Sequence, residues 1–567
     1  MTPGDASAWL NLTRRPVADA SGLPATMHPV VRRVLAARGV TGAADCDYQL
    51  GGLLPPTGLQ GLDEAAALVA SAVADDTAIC IAGDYDADGA TSTALLMRGL
   101  RALGARRLDH VVPDRFTMGY GLSTALADAA HERGAELLIT VDSGISSMSG
   151  VAHAQARGMR VVITDHHLPG EAIPSADAIV NPNNTGDAFP SKCLAGVGVA
   201  FYLLAAVRAR IGRDRLNIAE LLDLVALGTV ADVVPLDRNN RILVAQGLAR
   251  IRAGRACPGI RALLEVGGRD AATADAATLG FVVGPRLNAA GRLENMGQGV
   301  DCLLCDDPEQ ARTMARELDR LNRERRDIET VMVDGADAAR VLPDALGLCL
   351  YQSDWHEGVV GLVASRAKQS AHRPVIAFAP SSDAGWLKGS ARSIPGLHIR
   401  DAIAEADRMA PGLVARFGGH AMAAGLTLPA DALAPFAEAF DSACRAMLRD
   451  EDLVARIASD GRLTGDELAV ETALALEAAG PWGQGFPEPV FDGIFRVAES
   501  RVVGERHARY RLENEEGGPT HTAIDFGGAE RMAERGARVA IAYQLGVNRW
   551  RGRVEPQLIV QALAAAG

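Results

Sequence analysis

Residues 77–89 read TAICIAGDYDADG, a short apolar run that leads directly into a glycine and a cluster of acids. The run 77–83 has the length and composition of a buried strand, and residues 90–103 then have helical character. The same unit recurs at 108–112, at 136–141 (ELLITV) and at 159–164 (MRVVIT). Alternation of strands and helices predicts an α/β fold with a doubly wound parallel sheet.

Acidic loops follow three of these predicted strands. The side chains that the loops supply are Asp84, Asp86 and Asp88, then Asp142, and then Asp165, His166 and His167. Because the carboxyl ends of parallel strands line one crevice, we expect these groups to meet at one edge of the sheet. So many like charges need cations there, and carboxylates with imidazoles suit Mn²⁺ or Mg²⁺. The sequence therefore predicts a metal-dependent phosphoesterase with enough acids for two ions.

Each motif also has a simpler interpretation. Asp-x-Asp-x-Asp-Gly opens an EF-hand calcium loop, but that loop needs Glu at the position of Leu95 and a helix before it. Asp-Ser-Gly alone is typical of a turn, and an isolated His-His pair is more often structural. Asp232 is a single charge within the apolar stretch 224–236, which alone indicates a helix cap or a core acid. The shared placement of the three loops after strands favours the metal centre.

The composition excludes several classes of protein. Lys and Arg number 57 against 70 Asp and Glu, a net charge of −13, so nucleic acid must be held in a local basic groove or through cations. No lysine follows a glycine, which excludes a G-x-x-x-x-G-K phosphate loop. The eight cysteines are scattered, and ordinary buried thiols are favoured over a ligand pair at Cys302 and Cys305. No signal segment or membrane-spanning stretch is evident, so we expect a cytoplasmic protein without membrane contact.

The remaining chain divides into further segments. Asp307 and Pro308 begin a predicted long helix whose apolar residues recur at three- and four-residue steps. The opposite face is crowded with charge (323–327), which indicates a long, partly exposed helix. This helix joins two domains or, alternatively, lies on the surface of one. We predict an N-terminal extension that ends in a linker (1–58), a catalytic domain (59–306), a connecting helix (307–342), a second α/β domain (343–455) and a terminal β-barrel domain (456–567).

Several motifs together resemble a known family. GDYDADG (83–89), DSG (142–144), DHH (165–167) and GTVADVVPL (228–236), in this order, resemble the DHH phosphoesterase superfamily. The later motifs are similar to the RecJ family of bacterial exonucleases specific for single-stranded DNA. They are GPRLNAAGRL (284–293), WHEGVVGLVASR (355–366), KGSARSIPGLHIRDAI (388–403), RFGGHAMAAGL (416–426) and PWGQGFPEPVF (481–491). The resemblance spans nearly the whole chain and implies a DHH domain, a DHH-associated domain and an OB-fold-like barrel.

The resemblance also implies an activity. It implies 5′→3′ hydrolysis of single-stranded DNA to 5′-mononucleotides, with two Mn²⁺ or Mg²⁺ ions, in DNA repair and recombination. The expected partners are a single strand with a 5′ end, single-strand-binding protein and a RecQ-type helicase, and the chain is expected to act as a monomer. The alternatives are a phosphodiesterase for short oligonucleotides or cyclic dinucleotides, an inorganic pyrophosphatase, and a replication scaffold that has lost the metal acids.

The site residues implied by the resemblance fall into three groups. The metal ligands are Asp84, Asp86, Asp88, Asp142 (bridging both ions), His166 and Asp232, and Asp165 and His167 complete the catalytic set. The substrate contacts are Arg115, Tyr120, Arg286, Asn288, Arg292, His356, Ser390, Arg392, Gly418, Gly419 and His420. The barrel contacts to DNA are Arg501, Arg506, His507, Arg509, Arg511, Trp550, Arg551 and Arg553. The resemblance assigns the 5′-phosphate to Arg115, Ser390 and Arg392, and the narrow cleft mouth to Tyr120.

Overall fold

The N-terminal segment packs against the rest of the molecule. The computed structural model describes residues 10–515, 519–550 and 552–566. Strand β1 (Leu12–Arg14) pairs in parallel with residues 457–459, far along the chain. Helix α1 (Pro29–Ala36) buries Val30 and Val34 completely in the main core. Within the predicted N-terminal extension (1–58), the amphipathic run PVVRRVLA therefore forms a helix that packs in the core, and the bounds of the extension stay a prediction.

The first α/β domain is built on a parallel five-stranded sheet of order β3-β2-β4-β5-β6. Its strands are β2 (Ile79–Ala82), β3 (Leu108–Val111), β4 (Leu137–Val141), β5 (Arg160–Thr164) and β6 (Ala178–Val180). The helices that alternate with them are α2 (Leu62–Ala74), α3 (Ala87–Leu103), α4 (Thr124–Glu132) and α5 (Met148–Ala156). The predicted doubly wound sheet is confirmed. Its strand order reverses between β2 and β4, and a crevice at such a point is where open α/β sheets bind ligands.

A helical region completes this first domain. It contains α6 (Gly196–Ile211), α7 (Leu222–Ala231), α8 (Arg238–Arg252), α9 (Pro258–Val266), α10 (Ala276–Thr278), a π-helical turn (Leu279–Val283), α11 (Gly284–Leu293) and α12 (Gly297–Leu304). Short 3₁₀ turns along the chain lie at Ala43–Cys46, Leu50–Gly52, Arg213–Arg215, Ile218–Leu221, Ala271–Thr273, Ala430–Ala432, Asp450–Leu453 and Ala529–Arg531. Helices α6 and α7 both pack on α3, which begins at the first acidic loop.

The long helix α13 (Pro308–Asp334) starts where the sequence predicts and ends before residue 342. The Asp307 carboxylate caps it by accepting from the backbone N–H groups of Glu309 and Gln310. The helix packs on the first domain through α9 and α11 and on the second through α14 (Val360–Ala371). Within the charged run, Arg325 is buried and paired with Glu329, whereas the other four residues (Arg323, Glu324, Arg326 and Asp327) are exposed, which agrees with a partly exposed helix.

The second α/β domain has a mixed five-stranded sheet of order β10-β11-β9-β8-β7. Its strands are β7 (Leu348–Tyr351), β8 (Val375–Pro380), β9 (Trp386–Arg392), β10 (Arg416–Gly419) and β11 (Ala423–Pro429), and α14 is joined by α15 (Ile399–Met409) and α16 (Leu433–Met447). Strands β7 and β8 are parallel, whereas β8, β9, β11 and β10 pair antiparallel.

The terminal domain is a closed barrel of order β13-β14-β15-β17-β16. It follows β12 (Ile457–Ser459) and α17 (Val470–Ala479), and its strands are β13 (Phe491–Val503), β14 (His507–Asn514), β15 (Thr520–Asp525), β16 (Arg538–Trp550) and β17 (Arg553–Ala565). The predicted small barrel is confirmed. Barrel residues such as Tyr510 and Tyr543 belong to the same hydrophobic core as the first domain, whereas the second domain has separate cores. None of the described helices is long and apolar enough to cross a membrane.

Candidate metal centre and substrate cleft

The first acidic loop is shaped by the N-termini of two helices. Asp86 caps α3, and its Oδ1 accepts from the backbone N–H groups of Asp88 and Gly89 at 3.0 and 3.1 Å. Asp88 lies in the first turn of α3 and accepts from the backbone N–H groups of Gly196 and Val197, at 2.6 and 2.9 Å, where α6 begins. Asp84 and Asp88 are both almost wholly buried. The positive ends of α3 and α6 therefore stabilise carboxylates at this edge of the sheet.

Asp142 follows β4 in an unusual backbone conformation. Its φ is +59°, in the left-handed region that is unfavourable for a residue with a side chain. A Cβ atom at Gly196 would lie 2.5 Å from the Asp142 Cβ, so only glycine at the start of α6 leaves room for this carboxylate. Asp142 is 2% exposed. The backbone conformation of Asp142 and the absence of a side chain at Gly196 together allow the buried Asp142 carboxylate to lie in the crevice.

The third loop is organised around Asp165. Its Oδ2 accepts from the backbone N–H of Ile145 at 2.9 Å, and its Oδ1 accepts from the N–H groups of His166 and His167. The same Oδ1 also lies 2.7 Å from His167 Nδ1, which donates to it. All of these contacts are internal to the protein. Asp165 therefore supports the two histidines and does not face the crevice as a ligand.

Three side-chain atoms from three separate elements converge. The Nε2 of His166 lies 3.1 Å from Oδ1 of Asp142 and 3.5 Å from Oδ2 of Asp232, which ends α7. All three atoms are buried, and none has a hydrogen-bond partner among the described residues. Combinations of these residues with Asp84, Asp86, Asp88 and His167 bring ligand atoms within 4.8 Å of one another. Unsatisfied buried oxygens beside a ring nitrogen fit a divalent cation of the Mn²⁺ or Mg²⁺ type.

The electrostatics of the acids support this fit. Burial, followed by the charge of Asp86, raises the pKa of Asp84 to about 8 and that of Asp88 to about 7. Burial and the charge of Asp88 raise the pKa values of Asp142 and Asp232 well above the ordinary value for a carboxyl group. Such a cluster is unfavourable as a set of free carboxylates, and divalent cations relieve both the desolvation and the repulsion.

The two histidines have opposite electrostatic environments. Burial, followed by the charge of His167, lowers the pKa of His166 to about 4, which keeps its imidazole neutral and available as a ligand. Burial alone would lower the pKa of His167, but its hydrogen bond to Asp165 and the charge of that carboxylate raise it. Burial alone would raise the pKa of Asp165, and the contact with His167 instead lowers it. His167 and Asp165 thus form a charged pair beside a neutral His166.

A cleft of about 910 Å³ separates the first and second α/β domains. Arg115, Arg292 and Arg392 line it, and no carboxylate among the described residues forms an ion pair with any of the three. Arg115 stacks 3.9 Å above the ring of Tyr85. Burial, followed by the charges of Arg115 and Arg392, lowers the pKa of Arg292 to about 9. Three guanidiniums that repel one another in a concave site favour the binding of an anion such as phosphate.

Strand β9 supplies the second domain's side of this cleft. Alternation along the strand places Lys388, Ser390 and Arg392 on one face, while Ala391 is buried on the other. The Arg392 guanidinium donates to Ser390 Oγ at 3.1 Å, and Lys388 Nζ lies 2.9 Å from a carboxylate oxygen of Glu357. A Cβ atom at Gly361 would lie within 3.1 Å of Ser390 Oγ and of the Arg392 guanidinium, so glycine leaves this corner open.

Aromatic side chains lie between the metal centre and the cleft. The Tyr120 hydroxyl is 3.3 Å from the ring nitrogens of His167, and Tyr120, half exposed, also lines the cleft. The His420 ring, which follows β10, stacks on His167 at 6.1 Å between centroids. His356 is edge-on to Phe116 at 6.0 Å. Gly418 and Gly419, at the exposed end of β10, precede His420. The structure thus brings His420 of the second domain next to His167 of the first.

Two predicted substrate residues have other contacts. Arg286 is buried, and its guanidinium donates to Asp319 Oδ1 at 3.0 Å and is paired with that carboxylate, which joins α11 to α13. Asn288 Oδ1 accepts from the Ala87 backbone N–H at 2.8 Å and so holds the first acidic loop. These contacts of Arg286 and Asn288 stabilise the domain and the first acidic loop, and the contact of the two residues with DNA stays a prediction. Of that motif, Arg292 alone lines the cleft.

The predicted barrel residues lie mainly on one hairpin. Arg501 and Arg509 are directly opposite each other on β13 and β14, and both have solvent exposure. Arg506 and His507 lie at the turn, where the His507 ring is edge-on to Phe526 at 5.3 Å. The other members are Arg511 on β14, Trp550 and Arg553 at the tip of the β16–β17 hairpin, and Arg551, which is outside the described residues. Like charges placed opposite each other on a strand pair favour an anionic partner.

Some residues of the site are not predicted from the sequence. Asn183 Nδ2 donates to the His166 carbonyl at 2.6 Å, and Asn181 Nδ2 donates to the His167 carbonyl at 2.9 Å. Both asparagines follow β6 in the run NPNN (181–184), a cluster of turn-forming residues at the same sheet edge as the acids. The position of this run directly after the apolar residues of β6 is the feature from which Asn181 and Asn183 could have been predicted. Tyr85, which supports Arg115, lies within the first acidic motif itself.

Comparison with known proteins matches each α/β domain and the barrel separately. The model of the DHH family N-terminal domain matches residues 78–229, that of the DHHA1 domain matches 344–446, and that of the RecJ OB domain matches 459–562. The DHH match contains the three acidic loops described above. The DHHA1 match contains β9 and the residues around His420.

Whole-chain relatives show the same combination of domains. The single-stranded-DNA-specific exonuclease RecJ of Escherichia coli (strain K12) is 50% identical over 97% of this chain and 98% of its own length. The protein of that name from Dickeya dadantii is 51% identical over the same shares. Crystal structures of RecJ from Thermus thermophilus match with TM-scores of 0.83 in complex with Mn²⁺ and 0.78 in complex with Mg²⁺. The first of these is 32% identical and covers 99% of this chain and 80% of that one.

Proposed function

Since this chain belongs to the RecJ family of single-stranded-DNA-specific exonucleases, we propose that it removes nucleotides from the 5′ end of a single strand, at the acidic crevice around Asp142. It is a metal-dependent exonuclease for single-stranded DNA. The observation that carries the 5′-end proposal is the cleft that extends from Tyr120, beside His167, to three arginines without a carboxylate partner among the described residues. An anionic chain end fits the arginines, and the crevice beside Tyr120 then faces the next phosphodiester.

The divalent ions are proposed to bind the converging acids. The residues that would hold them are Asp84, Asp86, Asp88, Asp142, His166 and Asp232, with Asp142 between two sites. When bound, two such ions activate water and neutralise the attacking and leaving oxygens of a phosphate ester. Asp165 orients the histidine pair through three hydrogen bonds and is itself held by the backbone N–H of Ile145. Asp88 is held by the start of α6, which fixes its carboxylate in the crevice.

His167 is proposed to contact the scissile phosphate. Its Nδ1 is committed to Asp165, and the raised pKa favours an imidazolium whose remaining N–H lies beside the Tyr120 hydroxyl at the cleft. A cationic donor at that point stabilises a phosphate oxygen. His420 stacks on His167 from the second domain and limits the rotation of its ring.

The 5′-terminal phosphate is proposed to bind between Arg115, Ser390 and Arg392. A terminal phosphate carries more charge than an internal diester, so clustered guanidiniums favour it, and their planar forks fix its position. Anchoring the end places the next diester at the metal centre. This geometry explains release of 5′-mononucleotides without recognition of bases, and a cleft narrowed by Tyr120 admits one strand and excludes a duplex.

The remaining assignments rest on family membership. We propose that the barrel hairpin with Arg501 and Arg509 binds the strand beyond the cleft through its phosphates. Single-strand-binding protein and a RecQ-type helicase are the proposed partners of a cytoplasmic, monomeric enzyme in DNA repair and recombination. The proposed domain bounds, 59–306, 343–455 and 456–567, each contain one of the matched family segments.

Digestion of matched single-stranded and duplex substrates tests the proposed function. With Mn²⁺ or Mg²⁺ the single strand should be degraded to mononucleotides, the blunt duplex should remain, and a chelator should stop the reaction. Degradation of the duplex at a similar rate would show that the cleft does not select single strands. Cleavage in the presence of the chelator would contradict the role of the acidic cluster.

A further inference from the structure

The turn at residues 482–486, within the motif PWGQGFPEPVF, contacts the segment that follows Asp232. The backbone N–H of Leu236 donates to the carbonyl of Gln484 at 2.7 Å. A Cβ atom at Gly485 would lie 3.1 Å from the Cβ of Pro235. One at Gly483 would lie 2.8 Å from a methyl group of Leu236. The turn and the segment are therefore in direct contact, and a side chain at Gly485 would press on Pro235.

The turn itself is held rigidly. The rings of Trp482 and Phe486 stack at 5.1 Å, and the backbones of Gly483 and Phe486 hydrogen-bond to each other in both directions. Arg38 lies over the Trp482 ring and is held by two hydrogen bonds, of 2.7 and 2.9 Å, to Asp460. Arg241 lies 4.3 Å from the centre of the Phe486 ring. The N-terminal segment and α8 thus fix the turn from two sides.

The segment between Asp232 and Leu236 contains a strained residue. Val233 has a φ of +61°, a backbone conformation that a β-branched side chain adopts only when its surroundings impose it. The Val233 side chain is exposed, so its own packing does not impose this conformation. The segment is instead held at its far end, where Arg241 donates to the Leu236 carbonyl at 2.9 Å and the turn accepts from the Leu236 N–H.

We propose that the turn at 482–486 is a positioning element for the metal centre. By holding Pro235 and Leu236 it keeps Val233 in the left-handed conformation, which places Oδ2 of Asp232 at 3.5 Å from Nε2 of His166. This inference rests on the proposed function, in which Asp232 is a metal ligand. It follows that the docked start of the barrel domain strengthens metal binding, in addition to its proposed role in DNA binding.

Two alanine variants at left-handed glycines test the proposal. Gly485 has a φ of +70° and faces Pro235, whereas Gly536 has a φ of +88° and nothing within 4 Å of its Cβ position. Both substitutions introduce similar backbone strain, but only Gly485→Ala presses on the segment after Asp232. In calorimetric titration of the DNA-free protein, Gly485→Ala should bind Mn²⁺ about 10-fold more weakly than wild type, and Gly536→Ala should bind it normally. Saturating Mn²⁺ should restore most of the cleavage rate of Gly485→Ala.

A rescue variant separates positioning from general damage. Glycine adopts the conformation of Val233 without steric cost, so adding Val233→Gly to Gly485→Ala should recover part of the Mn²⁺ affinity. If Gly485→Ala shows no cooperative thermal unfolding, Gly483→Ala, which meets only a flexible methyl group, takes its place. Equal Mn²⁺ affinities of the Gly485→Ala and Gly536→Ala proteins, while Asp232→Asn binds weakly, would overturn the positioning role alone. Unchanged affinity in Asp232→Asn would instead show that Asp232 is not a ligand.

Discussion

The Nε2 atom of His166 lies 3.1 Å from Oδ1 of Asp142, although the two residues follow different strands, β5 and β4. Both atoms are buried and neither has a hydrogen-bond partner among the described residues. The pKa of His166 is lowered, so its imidazole is neutral, and the pKa of Asp142 is strongly raised because its carboxylate lacks a neutralising partner. A cation bound between the two side chains would supply that partner. This relationship is the geometric basis of the proposed metal centre.

Removal of the charge at Asp142 should abolish most of the activity. Asp142→Asn preserves the shape of the side chain but removes the ligand proposed to lie between two ions. We expect the single-turnover rate on a single strand to fall at least ~10³-fold. Asp63→Asn, at an exposed acid on α2, is the matched control and should retain the wild-type rate. A near-normal rate for Asp142→Asn would rule out a bridging role.

The stabilisation by Mn²⁺ should increase with pH. The pKa values of Asp84 and Asp88 are raised to about 8 and about 7 in the folded protein. Because the metal-free folded state binds these protons more tightly than the unfolded state, their contribution to its stability is complete below about pH 4. That stability is lost as the pH rises through 7 and 8, where bound cations take the place of the protons. The rise in thermal midpoint on adding Mn²⁺ should therefore be larger at pH 8 than at pH 6. A rise of equal size at both pH values would contradict this coupling.

The 5′-end proposal predicts a selective effect of Arg392. Arg392→Ala should slow cleavage of 5′-phosphorylated strands more than that of 5′-hydroxyl strands, because the guanidinium favours the higher charge of a terminal phosphate. Arg408→Ala, on the exposed face of α15, serves as the control. If Arg392→Ala slows both substrates by the same factor, Arg392 is a general phosphate or structural residue and does not recognise the end.

The barrel hairpin should contribute to the salt dependence of binding. In Arg501→Ala/Arg509→Ala, two phosphate contacts are lost, so the slope of log affinity against log salt should become shallower by roughly 1. The measurement uses a long single strand in a chelator, so that no cleavage occurs. Arg535→Ala, an exposed arginine elsewhere in the barrel domain, should leave the slope unchanged. An unchanged slope in the double variant would exclude this hairpin as the DNA contact.

The local parts of the structure are predictable from the sequence. Each buried strand of the first sheet is a short apolar run, and the acids that follow Ala82, Val141 and Thr164 necessarily lie at one edge once the strands are parallel. The cap at Asp307 is also evident, because a capping side chain and the N–H groups that it satisfies are near neighbours in sequence. The confirmed features depend on short-range patterns of this kind.

The features that the sequence does not indicate are contacts between distant residues. Arg286 shares a motif with Arg292, which predicts the same role for both, but its partner Asp319 is on another helix and no local pattern indicates that pairing. The charged run 323–327 indicates a partly exposed helix but not that Arg325 is its buried member, paired with Glu329 where the second domain packs. The contact of Gln484 with Leu236 is likewise visible only once the domains are docked.

Digestion of end-labelled strands with Mn²⁺ tests the central claim most directly. A 5′-phosphorylated single strand labelled at its 5′ nucleotide should release the label as a mononucleotide from the earliest times. The same strand labelled at its 3′ end should shorten progressively and release its label last. Both reactions should stop in a chelator, and both should be lost in Asp142→Asn. Earlier release of the 3′ label, or labelled internal fragments, would contradict cleavage from a 5′ end anchored in the arginine-lined cleft.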